Sequence, residues 1–146
     1  MTRVALLDIN VLVALFDPDH IHHDPAHDWL AAHRPGGWAT CPITENGLVR
    51  ILSNASYSGE YVPAADVRKR LATFCRSGDH VFWADDVSLR DERLFSLSGI
   101  RYAQITDAYL LGLAVRKGGR LATFDRHIPS RAVIGADKDH LQLIPA

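Results

Sequence analysis

Apolar positions fall into short unbroken runs, separated by longer stretches in which they recur every three or four residues. The first run, Val4-Ala5-Leu6-Leu7, stops at Asp8. Such a run reads as a strand covered on both faces, as in a parallel sheet. Ile9, Leu12, Val13 and Phe16 follow at helical spacing, so a helix begins where the strand ends. Asp17-Pro18-Asp19 is a turn. Asp24 before Pro25 predicts an N-cap and a first-turn proline. That helix carries Ala26, Trp29, Leu30 and His33 on one face and ends at Arg34-Pro35-Gly36-Gly37. Trp38-Ala39-Thr40-Cys41 is a second strand. Pro42 opens a helix with Thr44, Leu48, Ile51 and Leu52 facing inward and Glu45 in its first turn.

Residues 53–61 are polar and loop-like. Residues 63–76 then form a helix with Val67, Leu71 and Phe74 as its apolar stripe and Arg68, Lys69 and Arg70 on the other side. After a break at Ser77-Gly78-Asp79, Val81-Phe82-Trp83 is a third strand. Ser88 and Asp91 stand at near capping-box spacing, which predicts a short helix through Leu94 and Phe95. The strongest helical pattern spans residues 106–117. It is apolar nearly all round and should be buried. Thr106 is its expected N-cap, which puts Asp107 in the first turn, and Gly118-Gly119 stops it. Residues 121–124 are a fourth strand that ends at Asp125, and residues 141–144 are a fifth at the sheet edge. Strands alternating with helices imply an α/β fold with a parallel sheet and right-handed crossovers. No repeat or linker interrupts the pattern, so residues 1–146 read as one domain.

Composition agrees: 47% hydrophobic and 23% charged residues suit a packed domain of 146 residues rather than a disordered chain. A formal net charge of −1 offers no global attraction to a polyanion. A nucleic-acid partner would then depend on a local basic patch or on bound cations. Cys41 and Cys75 match no zinc or redox spacing and read as reduced, buried thiols. Asp8 interrupts the apolar N-terminal run, so no signal peptide or membrane span is expected and a cytoplasmic location is.

Four acids share one description. Asp8 and Asp125 end apolar strands; Glu45 and Asp107 stand in helix first turns. In a parallel sheet, Asp8, Glu45 and Asp125 meet at the carboxyl edge, and Asp107 joins them if its helix packs beside the first strand. Crowded carboxylates must protonate or share a cation. Mg²⁺ or Mn²⁺, hard ions with oxygen ligands, suit such a set. The chemistry implied is metal-dependent phosphodiester hydrolysis. Each acid alone also has a simpler account, as a helix-dipole partner or a turn residue; only the combination carries the functional reading.

Other features carry less. His23 and His27 stand four apart among His20 and His22, but Pro25 sets His23 before the helix proper, and a solvated helix start is expected. Asp85-Asp86 reads as a turn leading to Ser88. Gly118-Gly119 lacks phosphate-loop spacing. Arg68-Lys69-Arg70 reads as a solvated helix face, and no arrangement suggests a nucleophilic triad.

Four segments together resemble the PIN-domain family, and within it the VapC-type ribonuclease toxins of bacterial toxin–antitoxin modules, abundant in mycobacteria. They are Leu6-Leu7-Asp8-Ile9-Asn10-Val11-Leu12, Pro42-Ile43-Thr44-Glu45-Asn46, Thr106-Asp107-Ala108-Tyr109-Leu110 and Leu121-Ala122-Thr123-Phe124-Asp125-Arg126. The resemblance implies a three-layer α/β/α fold with strand order 3-2-1-4-5, which places Asp8 and Asp125 beside the switch point. It maps the family's acidic quartet onto Asp8, Glu45, Asp107 and Asp125. Asp8 and Asp107 would bind Mg²⁺ or Mn²⁺ directly, and Glu45 and Asp125 directly or through water. Asn10, Thr106 and Thr123 would orient ligands or phosphate. Arg50, Arg116 and Arg126 would draw in the RNA backbone. The implied partners are an RNA substrate, a cognate VapB-type antitoxin and a second copy in a homodimer, with residues 63–76 in the region used for such contacts. Two other readings compete. One is a non-catalytic scaffold of the same fold that binds RNA or antitoxin. The other is an aspartyl-nucleophile phosphatase, because Asp8-Ile9-Asn10 is similar to the DxD opening of haloacid-dehalogenase-like enzymes. There Asn10 replaces the second acid, and Glu45 and Asp107 have no role.

Overall fold

A computed structural model describes residues 3–146. Its elements are, in order, β1 (Ala5–Leu7), α1 (Ile9–Phe16), α2 (His23–His33), β2 (Trp38–Thr40), α3 (Pro42–Leu52), α4 (Ala55–Ser58), α5 (Ala64–Cys75), β3 (His80–Phe82), α6 (Ile105–Arg116), β4 (Arg120–Thr123) and β5 (Leu141–Leu143). The five strands form one sheet in the order β3-β2-β1-β4-β5, with every pairing parallel. The α/β class and the 3-2-1-4-5 order match the expectation. The order reverses between β1 and β4, so the chain leaves opposite faces of the sheet there and opens a crevice at the strands' carboxyl ends.

Helices cover both faces. Leu7, Val11, Leu12, Trp38, Leu48, Val67 and Leu71 join β1 and β2 to α1, α3 and α5 in one core. Leu6, Ala39, Leu110, Leu111, Leu113 and Leu121 join the other face to α6. Successive residues Leu6 and Leu7 point into different cores, as strand alternation requires, and both are fully buried. The unbroken apolar run of β1 thus has its cause. α6 is buried from Ala108 to Ala114, as its all-round apolar pattern predicts. Gly47 lets α3 press on α1: a Cβ there would come within 2.6 Å of Ile9 Cδ1. That close approach seats the start of α3 beside the start of α1.

Several local expectations are corrected. α2 starts at His23, with His22 rather than Asp24 at its cap position and no side-chain cap bond. α6 starts at Ile105, so Thr106 lies inside the first turn and does not cap it. Residues 53–61 contain the short helix α4, capped by Asn54, whose Oδ1 accepts from the Ser56 N–H. No helix forms through Leu94 and Phe95. Ser88 Oγ instead accepts from the Arg90 N–H at 3.1 Å and Asp91 Oδ1 from the Arg93 N–H at 2.9 Å. Each side chain closes a turn two residues on, and the reciprocal box is not made. Leu94 and Phe95 are buried all the same. β3 lies one residue earlier than expected, because Trp83 turns inward after the strand; its N–H donates to the Thr40 carbonyl. Among the described residues, no helix is long and apolar enough to cross a membrane.

Candidate active site

Asp8 follows β1 and caps α1. Its Oδ1 accepts from the Ile9 N–H at 2.7 Å. Its Oδ2 accepts from the Thr123 hydroxyl at the end of β4, also at 2.7 Å. The Thr123 oxygen in turn accepts from Asn10 Nδ2 at 3.3 Å and from the Asp125 N–H at 3.0 Å. One buried hydroxyl, with its single proton and two lone pairs all engaged, therefore fixes Asp8, Asn10 and Asp125 relative to one another.

Asp107 approaches from the first turn of α6. Burial, and then the charges of Asp8 and Asp125, push its carboxyl up to about 6. Asp8 is only 5% exposed. Burial raises its pKa, the Thr123 and Ile9 hydrogen bonds pull the other way, and the Asp125 charge raises it further. Three carboxylates thus feel one another in a poorly solvated place, where a divalent cation relieves both the repulsion and the lost hydration. Carboxylate oxygens are the donors that Mg²⁺ and Mn²⁺ take, so this set fits such an ion.

Asp8, Asn10, Thr106 and Asp107 line a groove of about 700 Å³, closed on its other side by His20 and Tyr57. Thr106 and Ile9 continue into an adjoining hollow that Arg50 borders. Arg126 is exposed, one residue beyond Asp125. Arg116 sits at the other end of α6 from Asp107, about 14 Å away at 1.5 Å per residue, and pairs with Asp91 at 3.1 Å.

Glu45 turns elsewhere. Its Oε2 accepts from the Thr40 hydroxyl at 2.6 Å, and it lies with Cys75 and His80, the donor atoms of all three within 4.8 Å of one another. The charges that act on Asp107 are those of Asp8 and Asp125, whereas Glu45 acts on Cys75 and His80. Cys75 is half-buried, not buried as expected; Cys41 is buried, and burial pushes its thiol up to about 11.

Other polar groups serve as braces. Asp85 Oδ2 accepts from the Ile43 N–H in the first turn of α3, and its Oδ1 from the Tyr109 hydroxyl on α6. This carboxylate ties together the two helices that carry Glu45 and Asp107, a role that no spacing in the sequence announces. Asp86 pairs with Lys117. The His23 and His27 rings reach the carbonyls of Ala14 and Leu15 in the last turn of α1. Their spacing of four serves to close a helix end. Arg70 donates to the Phe16 carbonyl, while Arg68 and Lys69 are exposed.

The sheet order and the aspartates gathered at its switch point define the class of protein. The family model for the PIN domain matches residues 5–134, and the chain belongs to that family. It is similar over most of its length to three proteins of Mycobacterium tuberculosis. It is 44% identical over 138 residues to ribonuclease VapC44, covering 94% of this chain and 96% of that protein. Identity is 48% over 122 residues to ribonuclease VapC38, at 84% and 85% coverage, and 43% over 136 residues to ribonuclease VapC39, at 90% and 95%.

Proposed function

We infer that this chain is a divalent-metal-dependent endoribonuclease, the toxin of a type II toxin–antitoxin module, acting in the cytoplasm on tRNA, rRNA or mRNA. The reading is carried by Asp8 and Asp107 meeting in one groove, with Asp125 tied to Asp8 through Thr123 and its charge acting on both, and supported by kinship with proteins named ribonuclease VapC. Mg²⁺ or Mn²⁺ held by Asp8, Asp107 and Asp125 would polarise the scissile phosphate and lower the pKa of a water molecule.

The chain's own residues do the positioning. Thr123 and the Ile9 N–H hold the Asp8 carboxylate in one orientation, so little reorganisation remains when the substrate arrives. Thr106 is exposed at the rim between the two hollows, placed to donate to a phosphate oxygen. Arg50 and Arg126 attract the RNA backbone locally, which reconciles a near-neutral chain with a polyanionic substrate. Glu45, one strand further along the same edge, adds charge at the margin of the site. A VapB-type antitoxin that covers this groove would silence the enzyme, and the free toxin would pair with a second copy, as the family resemblance implies.

The test is cleavage of single-stranded RNA in the presence of Mg²⁺ by the wild type and by Asp8→Asn. Cleavage that disappears with the substitution, and with chelation of the ion in the wild type, supports the reading. Full activity of Asp8→Asn overturns it. Folded wild-type protein that binds RNA but leaves it intact would favour the non-catalytic scaffold.

A further inference from the structure

Building on the ribonuclease reading, we propose that the rings of Tyr57 and His20 form a binding wall for one nucleobase of the RNA, the base that flanks the scissile phosphate. Both side chains line the same groove as Asp8 and Asp107. Single-stranded RNA is recognised largely through unpaired bases, which stack on aromatic side chains and offer their edges to hydrogen-bond donors. A wall of this kind beside the acids holds the strand while its phosphate lies at the metal.

The groove has room for more than the ion. Its volume is about 700 Å³, whereas six waters around a divalent cation take about 180 Å³, at about 30 Å³ each. Val13, Ile51, Asn54 and Ser56 line it together with the two rings, so the part away from the acids is uncharged and partly apolar, as a base requires. Ile9, Asn10 and Val13 place α1 along the groove. From the Asp8 cap to the Asp17 cap this helix spans about 13 Å at 1.5 Å per residue. Acids and rings thus belong to opposite ends of one helix.

Asp17 sets both rings. Its Oδ2 accepts from the Tyr57 hydroxyl at 2.6 Å, and its carbonyl accepts from the His20 N–H at 3.1 Å. The Tyr57 hydroxyl is engaged by that bond, while the side chain remains exposed and its stacking face is not spent on it. His20 Nδ1 accepts from the His22 N–H at 3.0 Å, so the ring carries its proton on Nε2. Burial holds its pKa below the ordinary 6.5, which makes it a neutral hydrogen-bond donor near neutral pH. The His22 ring lies 5.6 Å from His20 and stacks on Phe124 at 4.6 Å, next to Asp125. The wall is thereby tied to the segments that carry Asp8 and Asp125, and little ordering remains when a base arrives.

Fluorescence anisotropy of end-labelled, mixed-sequence single-stranded RNA tests the wall, with Ca²⁺ in place of Mg²⁺ so that binding is read apart from cleavage. The comparison ligand is an abasic ribose-phosphate oligomer of the same length. Tyr57→Ala should weaken RNA binding by about 5–100-fold, the loss of one base–aromatic stack, and His20→Ala should act in the same direction. Neither should alter binding of the abasic oligomer. Tyr57→Phe should keep most of the affinity, because the stacking face remains. RNA binding by Tyr57→Ala equal to that of the wild type overturns the proposal. So does an equal loss on the abasic oligomer, which would mean a backbone contact or a disturbed fold, and so does wild-type protein that binds both ligands equally. Wild-type protein that cuts RNA while Tyr57→Ala binds it unchanged overturns the wall alone. Wild-type protein that neither binds nor cuts RNA overturns the ribonuclease reading as well.

Discussion

Thr123 shows how much can depend on one hydroxyl. It donates to Asp8 and accepts from Asn10 and the Asp125 N–H. Thr123→Val keeps the shape but removes these bonds. Cleavage should fall by about 10–100-fold, the usual cost of losing a partner that orients a metal ligand, while Thr123→Ser should retain most activity in the same RNA assay. Asp107 yields a prediction in pH. Its carboxyl titrates at about 6 in the fold, against an ordinary 3.8. The folded state therefore prefers the protonated form. That preference stabilises the chelated protein in full below 3.8 and is lost as pH rises through about 6. The melting temperature of chelated protein should fall across this window, and Asp107→Asn should flatten much of the fall.

Among the elements, α3 and α6 decide the site. Gly47→Ala puts a methyl within 2.6 Å of the Ile9 side chain. Overpacking of this kind costs about 1–3 kcal/mol, and chemical denaturation should show it. Tyr109→Phe removes one of the two bonds that Asp85 makes to these helices. A loss of about 1 kcal/mol is expected, with the Ile43 bond left to hold Asp85. At this level the chain was readable where periodicity and burial agree. β1, α3, β4 and the buried α6 fall within one or two residues of their expected bounds, and Asp8, Asp107 and Asp125 meet because each stands at the end or the beginning of such an element. Ser88 and Asp91 misled, because short polar side chains close local turns as readily as helix caps. Cys75 and His80 went unread for another reason. Their partner Glu45 reaches them only because β3 pairs with β2, and neither cysteine spacing nor hydrophobic pattern reports that pairing. The direction in which Glu45 points was hidden for the same reason.

For the molecule as a whole, a cation that binds only the folded form stabilises it by mass action. At a hundred times its dissociation constant, Mg²⁺ should add about 2.7 kcal/mol. The gain should be read as a higher melting temperature near neutral pH, above the value of about 6 at which Asp107 gives up its proton. It should shrink when the pH is lowered toward 3.8 and Asp107 takes up its proton. Asp8→Asn should lose most of it.

The bond between Thr123 and Asp8 joins residues 115 positions apart, and β4 lies directly against β1. The ribosome makes β1 first and β4 near the end of the described chain, at about 5–20 residues per second. Through most of synthesis β1 has β2 for a neighbour on one side and nothing of its own on the other. Asp8 waits without Thr123, Asp107 or Asp125. A nascent or prematurely ended chain that lacks β4 has no assembled site, so an enzyme that cuts RNA would be made beside ribosomal RNA and tRNA while still harmless. The strand order thus works as a timer: activity begins only once the C-terminal strands have joined the N-terminal one.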